Sequence, residues 1–281
     1  MRKKGLATQE SRWVRCLLIG VALLFLLVMV VAPILVIFAQ GLSHGLEAYF
    51  AAFYEEETLQ AIRLTLLITA IVVPLNVLFG LAAGWAVGKF DFRGKQLVTA
   101  LVDLPLSVSP VVAGLIYVMI FNIHAPLGKW LSEYGIQIIF AVPGMVIATL
   151  FVTFPYVARE LIPLMQQQGN DEEEVALLLG AKGLTTFFRI TLPNIKWGVL
   201  YGAMLCMARA LGEFGAVSVV SGHIQGLTNT LPLQIEVLYN EYKATAAFAL
   251  GSLLTLFALI TLVLKVFMEW YAGVGHIRGS R

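Results

Sequence analysis

Charge is scarce in this chain, and cysteine scarcer. Asp, Glu, Lys and Arg make up 13% of the 281 residues, about half the roughly 25% of an average soluble domain. The formal net charge is only +2, which gives no reason to expect nucleic acid as a partner. The two cysteines, Cys16 and Cys206, fall in or beside apolar stretches, and are read as small packing residues rather than a disulfide. No phosphate loop of the form GxxxxGK(S/T) occurs. The pairs Gly88-Lys89, Gly94-Lys95 and Gly128-Lys129 are followed by Phe90, Gln96 and Trp130, so the chain does not hold nucleotide in that way. His44, His124, His223 and His276 are scattered without metal-ligand spacing. HExxH and GxSxG are also missing. The chain is therefore read as no enzyme, with no metal or cofactor of its own.

What is present is apolar. Hydrophobic residues reach 59% and the mean hydropathy is +0.85. Crossing a bilayer takes about 20 apolar residues. Stretches of that kind run near Cys16–Ala39, Ile62–Val87, Val98–Phe121, Ile138–Val157, Trp197–Val220 and Ala246–Phe267. The first is too long for a signal-peptide core of about 7–15 residues and is read as a retained helix. The expectation is an all-α membrane protein of six transmembrane helices. Residues 1–15 form a basic N-terminus, 16–270 the membrane domain with a large loop at 158–196, and 271–281 a tail.

The distribution of Lys and Arg orients it. One side collects fifteen: Arg2, Lys3, Lys4, Arg12 and Arg15, then Lys89, Arg93 and Lys95, then Arg159, Lys182, Arg189 and Lys196, then Lys265, Arg278 and Arg281. The other side has Arg63, Lys129 and Lys243. The positive-inside rule puts both termini and the 158–196 loop in the cytoplasm.

Within the spans, Gly80, Gly84 and Gly88 form a small-residue stripe, as do Gly198 and Gly202, the pattern that lets helices approach closely. Pro105 and Pro110 interrupt the third span between Asp103 and Pro110. Such a break either lines a path through the membrane or kinks a packing helix. Arg209 and Glu213 are four apart and expected to share one helical face. They read either as a self-compensating pair that fixes helix packing or as part of an anion path or gate. Ser107 and Ser109 flank the break in the third span, and Ser218 and Ser221 lead into the polar loop after the fifth. Their hydroxyls could hold an oxyanion, or bond their own helix backbone.

The most informative stretch is Asp171-Glu-Glu-Glu-Val-Ala-Leu-Leu-Leu-Gly180, followed by Ile190-Thr-Leu-Pro193. Asn170 and Glu173 have the spacing of a capping box, so a short helix should start here. Gly180 should end it. The Val175–Leu179 run is apolar around most of that helix, yet lies in a loop facing the cytosol. Something has to cover it, and a partner protein is the obvious candidate. A membrane-surface helix fits poorly, because it would need basic residues beside the lipid and this one opens with four acids.

The spacing Glu174-x-Ala176-xxx-Gly180, then Ile190-x-Leu192-Pro193, resembles the cytoplasmic EAA loop of type I ABC importer membrane subunits, with Val175 where that family usually has alanine. The resemblance implies that this loop is a coupling helix docking on an ATPase subunit. Glu174 would lie near that contact, and Gly180 would allow the turn. Ala208-Arg-Ala-Leu-Gly-Glu-Phe-Gly-Ala216 resembles sulfate/thiosulfate and molybdate importer subunits. Its continuation through Val217–His223, Leu227–Leu233 and Leu238–Tyr242 is similar to the sulfate type, CysW rather than CysT. The implied partners are a second, CysT-like permease subunit, two ATPase subunits that bind ATP and Mg, and a periplasmic sulfate/thiosulfate-binding protein, all in the bacterial inner membrane or at its face. A molybdate or tungstate permease, a stand-alone secondary transporter and a membrane scaffold are the rival readings.

Overall fold

The structure, a computed structural model, describes residues 12–278, with side chains from 13 to 268. The basic residues Arg2, Lys3 and Lys4, and Arg281 of the tail, lie outside the described residues. Among the described residues every regular element is helical.

The chain opens with α1 (Arg12–Leu26), a π-helical turn at Leu27–Val31 and α2 (Ala32–Gly41). Pro33 sits in the first turn of α2. Proline has no N–H to return to the preceding turn, and the widened π turn before it absorbs the missing bond. The side chains of α1 are exposed all round, as expected of a helix whose neighbour is lipid. α3 (Gly45–Tyr54) follows, then α4 (Glu56–Lys89), whose 34 residues span about 50 Å.

The third expected span is two helices, α5 (Lys95–Ser107) and α6 (Pro110–Phe121), bent by 105°. Proline disfavours helical backbone in the residue before it, and Ser109 takes an extended conformation. The break is therefore a sharp turn, not a kink. After α7 (Pro126–Glu133), the fourth expected span is α8 (Val142–Gln168), shifted toward its C-terminus. Next come α9 (Asp171–Leu178) and α10 (Gly183–Thr186), a second π turn at Phe187–Thr191, and α11 (Leu192–Leu211) with Pro193 in its first turn. The π turn and proline repeat the arrangement before α2.

The fifth expected span, Trp197–Val220, is not one helix. α11 stops at Leu211 and α12 (Gly215–Val220) starts after a break. α13 (Leu231–Asn240) and α14 (Ala244–Arg278) complete the chain. Four helical segments among the described residues are long and apolar enough to cross a membrane, or five if the bent α5–α6 pair is one span. Pro193, Asn194, Lys196 and Arg209 dilute the apolar character of α11.

The core is the α4–α8–α11 stack. Gly80, Gly84 and Gly88 lie against Val157, Leu161 and Met165 of α8. A Cβ on Gly80 would stand 2.7 Å from that of Val157. Gly198 and Gly202 of α11 meet Leu164 and Val157, so both glycine stripes are packing surfaces. Asn76, fully buried, donates to Thr153 Oγ1 at 2.7 Å and to Cys206 Sγ at 3.4 Å, tying the three helices together by polar contacts that apolar packing could not orient. Cys206 is buried and Cys16 exposed; both are free thiols.

Candidate functional site

Two places gather the residues singled out in the sequence. The first is the segment between α8 and α11. α9 starts at Asp171, and Asp171, Glu172, Glu173 and Glu174 fill its first turn, where the helix dipole favours negative charge. The capping box does not form. Asn170 makes no side-chain cap; its amide donates instead to the Lys89 carbonyl at 3.5 Å. Glu173 is drawn away from the cap by Lys89, whose Nζ lies 2.7 Å from its carboxylate, and by a 3.0 Å hydrogen bond from Thr191 Oγ1. A nearby cation outcompetes a neutral backbone N–H for a carboxylate. Lys89 Nζ also donates to the Gly169 carbonyl. Asn194 Nδ2 donates to Glu172 at 2.6 Å, and Gln168 Nε2 to the Asn194 carbonyl at 3.2 Å.

The first turn of α9 is thus clamped to the end of α4 and the start of α11. Burial alone would raise the Glu173 carboxyl. Hydrogen bonds from Lys89, its own backbone and Thr191, with the Lys89 charge, outweigh that and hold it below the usual carboxylate range.

The far end of α9 closes as a Schellman cap. Gly180 has φ +88°, its N–H bonds the Leu177 carbonyl, and the Ala181 N–H bonds the Ala176 carbonyl at 3.0 Å. Ala176 is turned inward, while Leu178 and Leu179 are 87% and 83% exposed. Val175, Leu177, Leu184 and Phe188 extend the exposed apolar surface. Glu174 is exposed beside it. Ile190 and Leu192 are half-buried and Pro193 is exposed; Leu192 packs on the Val157–Leu161–Met165 cluster. Phe187, buried, packs on Trp85 of α4 with the ring centres 4.6 Å apart and the planes tilted by 45°. The result is a rigidly mounted helix pair with an uncovered greasy face.

The second place is the meeting of the two helix breaks. A Cβ on Gly215 would sit 3.0 Å from Pro110 Cβ, and one on Gly114 would sit 2.8 Å from the Ala216 carbonyl oxygen, so α6 and α12 touch closely. Glu213 lies in the α11–α12 break and not on the helical face of Arg209, a correction to the expected geometry. The pair nevertheless forms: Arg209 Nη1 is 2.7 Å from Glu213 Oε2. Glu213 Oε1 accepts the Ala216 N–H at 2.9 Å. One buried carboxylate therefore holds the end of α11 to the start of α12. Ser107 and Ser109 are exposed at the neighbouring break. Ser218 Oγ donates to the Gly215 carbonyl at 2.9 Å, and Ser221 Oγ accepts the His223 N–H at 3.2 Å, so both hydroxyls bond locally.

Sequence reasoning reads Lys89 only as a positive charge and gives Thr191 and Asn194 no role. Their pairing with α9 crosses three segments, and nothing in the local spacing signals it.

Residues 76–272 match the model of the family described as binding-protein-dependent transport system inner membrane component. The chain is 49% identical over 258 residues to the sulfate transport system permease protein CysW of Escherichia coli (strain K12), covering 92% of this chain and 89% of that protein. It is 46% identical over 260 residues to the protein of the same name from Synechocystis sp., with 92% and 94% covered. To the CysT permease protein of E. coli K12 it is 30% identical over 244 residues, with 87% and 88% covered. Among solved structures, a bacterial ABC transporter involved in alginate import shares the fold with a TM-score of 0.74 at 17% identity, over 92% of this chain and 94% of that one. With the EAA-type spacing mounted between α8 and α11, and 70% of the chain inside the family match, the chain belongs to the inner membrane components of binding-protein-dependent transport systems.

Proposed function

We propose that the chain is a membrane-spanning permease subunit of an ATP-driven sulfate/thiosulfate importer. The observation that carries this is the exposed Val175–Leu179 face on a helix clamped to α4 and α11. It is an uncovered apolar surface, too large and too well mounted to serve no partner. Glu174, Ala176, Gly180, Ile190, Leu192 and Pro193 keep the spacing of a coupling loop. The relatives that are nearly half identical are sulfate transport permeases, which points to the substrate class.

In this reading six spans cross the bacterial inner membrane: α1 with α2, α4, the bent α5–α6, α8, the broken α11–α12, and α14. Residues 1–15, the 158–196 loop and the 271–281 tail are cytoplasmic. A second, CysT-like subunit completes the path, two ATPase subunits bind ATP and Mg, and a periplasmic binding protein delivers the anion. Closure of the ATPases pushes α9. The Lys89–Glu173 and Asn194–Glu172 contacts pass that push to α4 and α11 as a rigid-body movement. The two adjoining breaks, with Ser107, Ser109, Arg209, Glu213, Ser218 and Ser221, are where the path changes access.

The test is ATP hydrolysis by the purified complex with its binding protein. Sulfate or thiosulfate should stimulate it and molybdate should not. Stimulation by molybdate alone, or anion uptake on an ion gradient by a chain that purifies without an ATPase, contradicts the proposal.

A further inference from the structure

Behind the Arg209–Glu213 pair lies a small cavity of about 10 Å³, lined by Thr65 and Ile68 of α4, Thr149 of α8, Leu211 of α11, Glu213 and Thr230, with Ala210 and Val217 filling the wall. Several buried threonines here bond a carbonyl in the preceding turn of their own helix: Thr65 to Ala61 at 2.8 Å, Thr153 to Thr149 at 2.7 Å. That is the usual fate of a threonine hydroxyl in an apolar helix. Thr149 and Thr230 depart from it. They are 0% and 4% exposed, and neither hydroxyl has a protein partner. A buried hydroxyl without a partner is costly. Thr58 and Thr69 are also buried without a partner, but of the four only Thr149 and Thr230 line this void, and they share it with a buried carboxylate.

The void has the size of one water site, about 10–15 Å³, and a water there needs 2–4 polar partners. Glu213 supplies an acceptor: Oε1 takes the Ala216 N–H, while Oε2, ion-paired with Arg209, has no hydrogen-bond donor among the protein groups. Each carboxylate oxygen can accept more than one bond. The two hydroxyls supply a donor or acceptor each. We propose that this node is a hydration site: one ordered water bridges the Glu213 carboxylate and the hydroxyls of Thr149 and Thr230. It makes the break in the fifth span a water-mediated joint between α4, α8, α11 and the approach to α13. Thr65 strengthens the joint from the other side, accepting the Leu231 N–H at 2.7 Å. A joint held through water can change angle by reorienting the water, whereas a direct bond between the same groups would have to break.

The experiment is microsecond X-ray radiolysis of the full-length chain in its complex, read by mass spectrometry. Hydroxyl radicals formed at an ordered water oxidise the side chains beside it even when these are buried. Val217 and Ile68, which line the node, should be oxidised several-fold more than Leu161 and Leu250, which are equally buried and do not line it. Thr149→Val should reduce that labelling several-fold. The isosteric Thr149→Val and Thr230→Val should each lower the melting temperature by about 2–4 °C, and the double variant should lose no more than the larger single loss, because both act on one water. Labelling of Val217 and Ile68 at the level of Leu161 and Leu250 overturns the proposal. So does a rise in melting temperature on Thr→Val, which is the signature of removing an unpartnered hydroxyl from a dry site.

Discussion

Glu173 and Glu174 are neighbours with different surroundings. Glu173 is partly buried against Lys89 and Thr191, whereas Glu174 faces outward beside the exposed leucines. Glu173→Ala should therefore cost about 1–3 kcal/mol by leaving Lys89 without its counter-ion, visible as a lowered melting temperature. Glu174→Ala should leave melting within about 0.5 kcal/mol of the parent, as surface changes do, yet uncouple ATP hydrolysis from uptake. The depressed pKa of Glu173 sets a pH dependence as well. A carboxyl held below its unfolded value contributes stability that is complete above the ordinary Glu pKa, about 4.3, and is lost as pH falls through the lowered value. Protection of the α9 amides, corrected for intrinsic exchange, should be flat from pH 7 to 5 and decline below that; a decline already at pH 6 would contradict the assignment. From sequence, the end of α9 at Gly180 was legible because its signal is local. The role of Glu173 was misread as a cap, since its true partner stands 84 positions away.

At the scale of elements, the glycine stripes and the breaks govern how helices meet. Gly80→Val should force α4 off α8, because even a Cβ there approaches Val157 to 2.7 Å. Overpacking of this kind costs about 1–3 kcal/mol, and reduced melting temperature with normal ATPase affinity is the expected outcome. Gly180→Ala acts differently. Nothing lies within 4 Å of the added Cβ, so its cost is the left-handed backbone at φ +88°, about 1–2 kcal/mol, in the turn after α9. Apolar length and turn residues made the helices legible. The 105° bend at Ser109–Pro110 and the break at Gly212–Phe214 were not. A single proline reports that a helix stops, not the angle at which the next begins. In the fifth span the only signal was a glycine-flanked glutamate, which reads equally well as a mid-helix ion pair.

For the whole molecule, α4 links two ends of the fold. Lys89, at its C-terminus, holds α9. Lys243, after α13, lies in the electrostatic reach of Glu55 and Glu57 around its N-terminus, about 50 Å away along the helix. The Lys and Arg count predicts that these ends lie on opposite sides of the membrane. In a variant without native cysteines, Leu179→Cys should react with a membrane-impermeant thiol reagent only in inverted vesicles, and Tyr242→Cys only in intact cells.

The central claim is that the Val175–Leu179 face receives an ATPase, and its most direct test is retention of that subunit. With Leu178→Asp and Leu179→Asp together, both side chains being exposed, the chain should insert and melt as the parent does. The ATPase should be lost when the complex is purified through a tag on the permease. Undiminished retention of the ATPase by that variant would contradict the account.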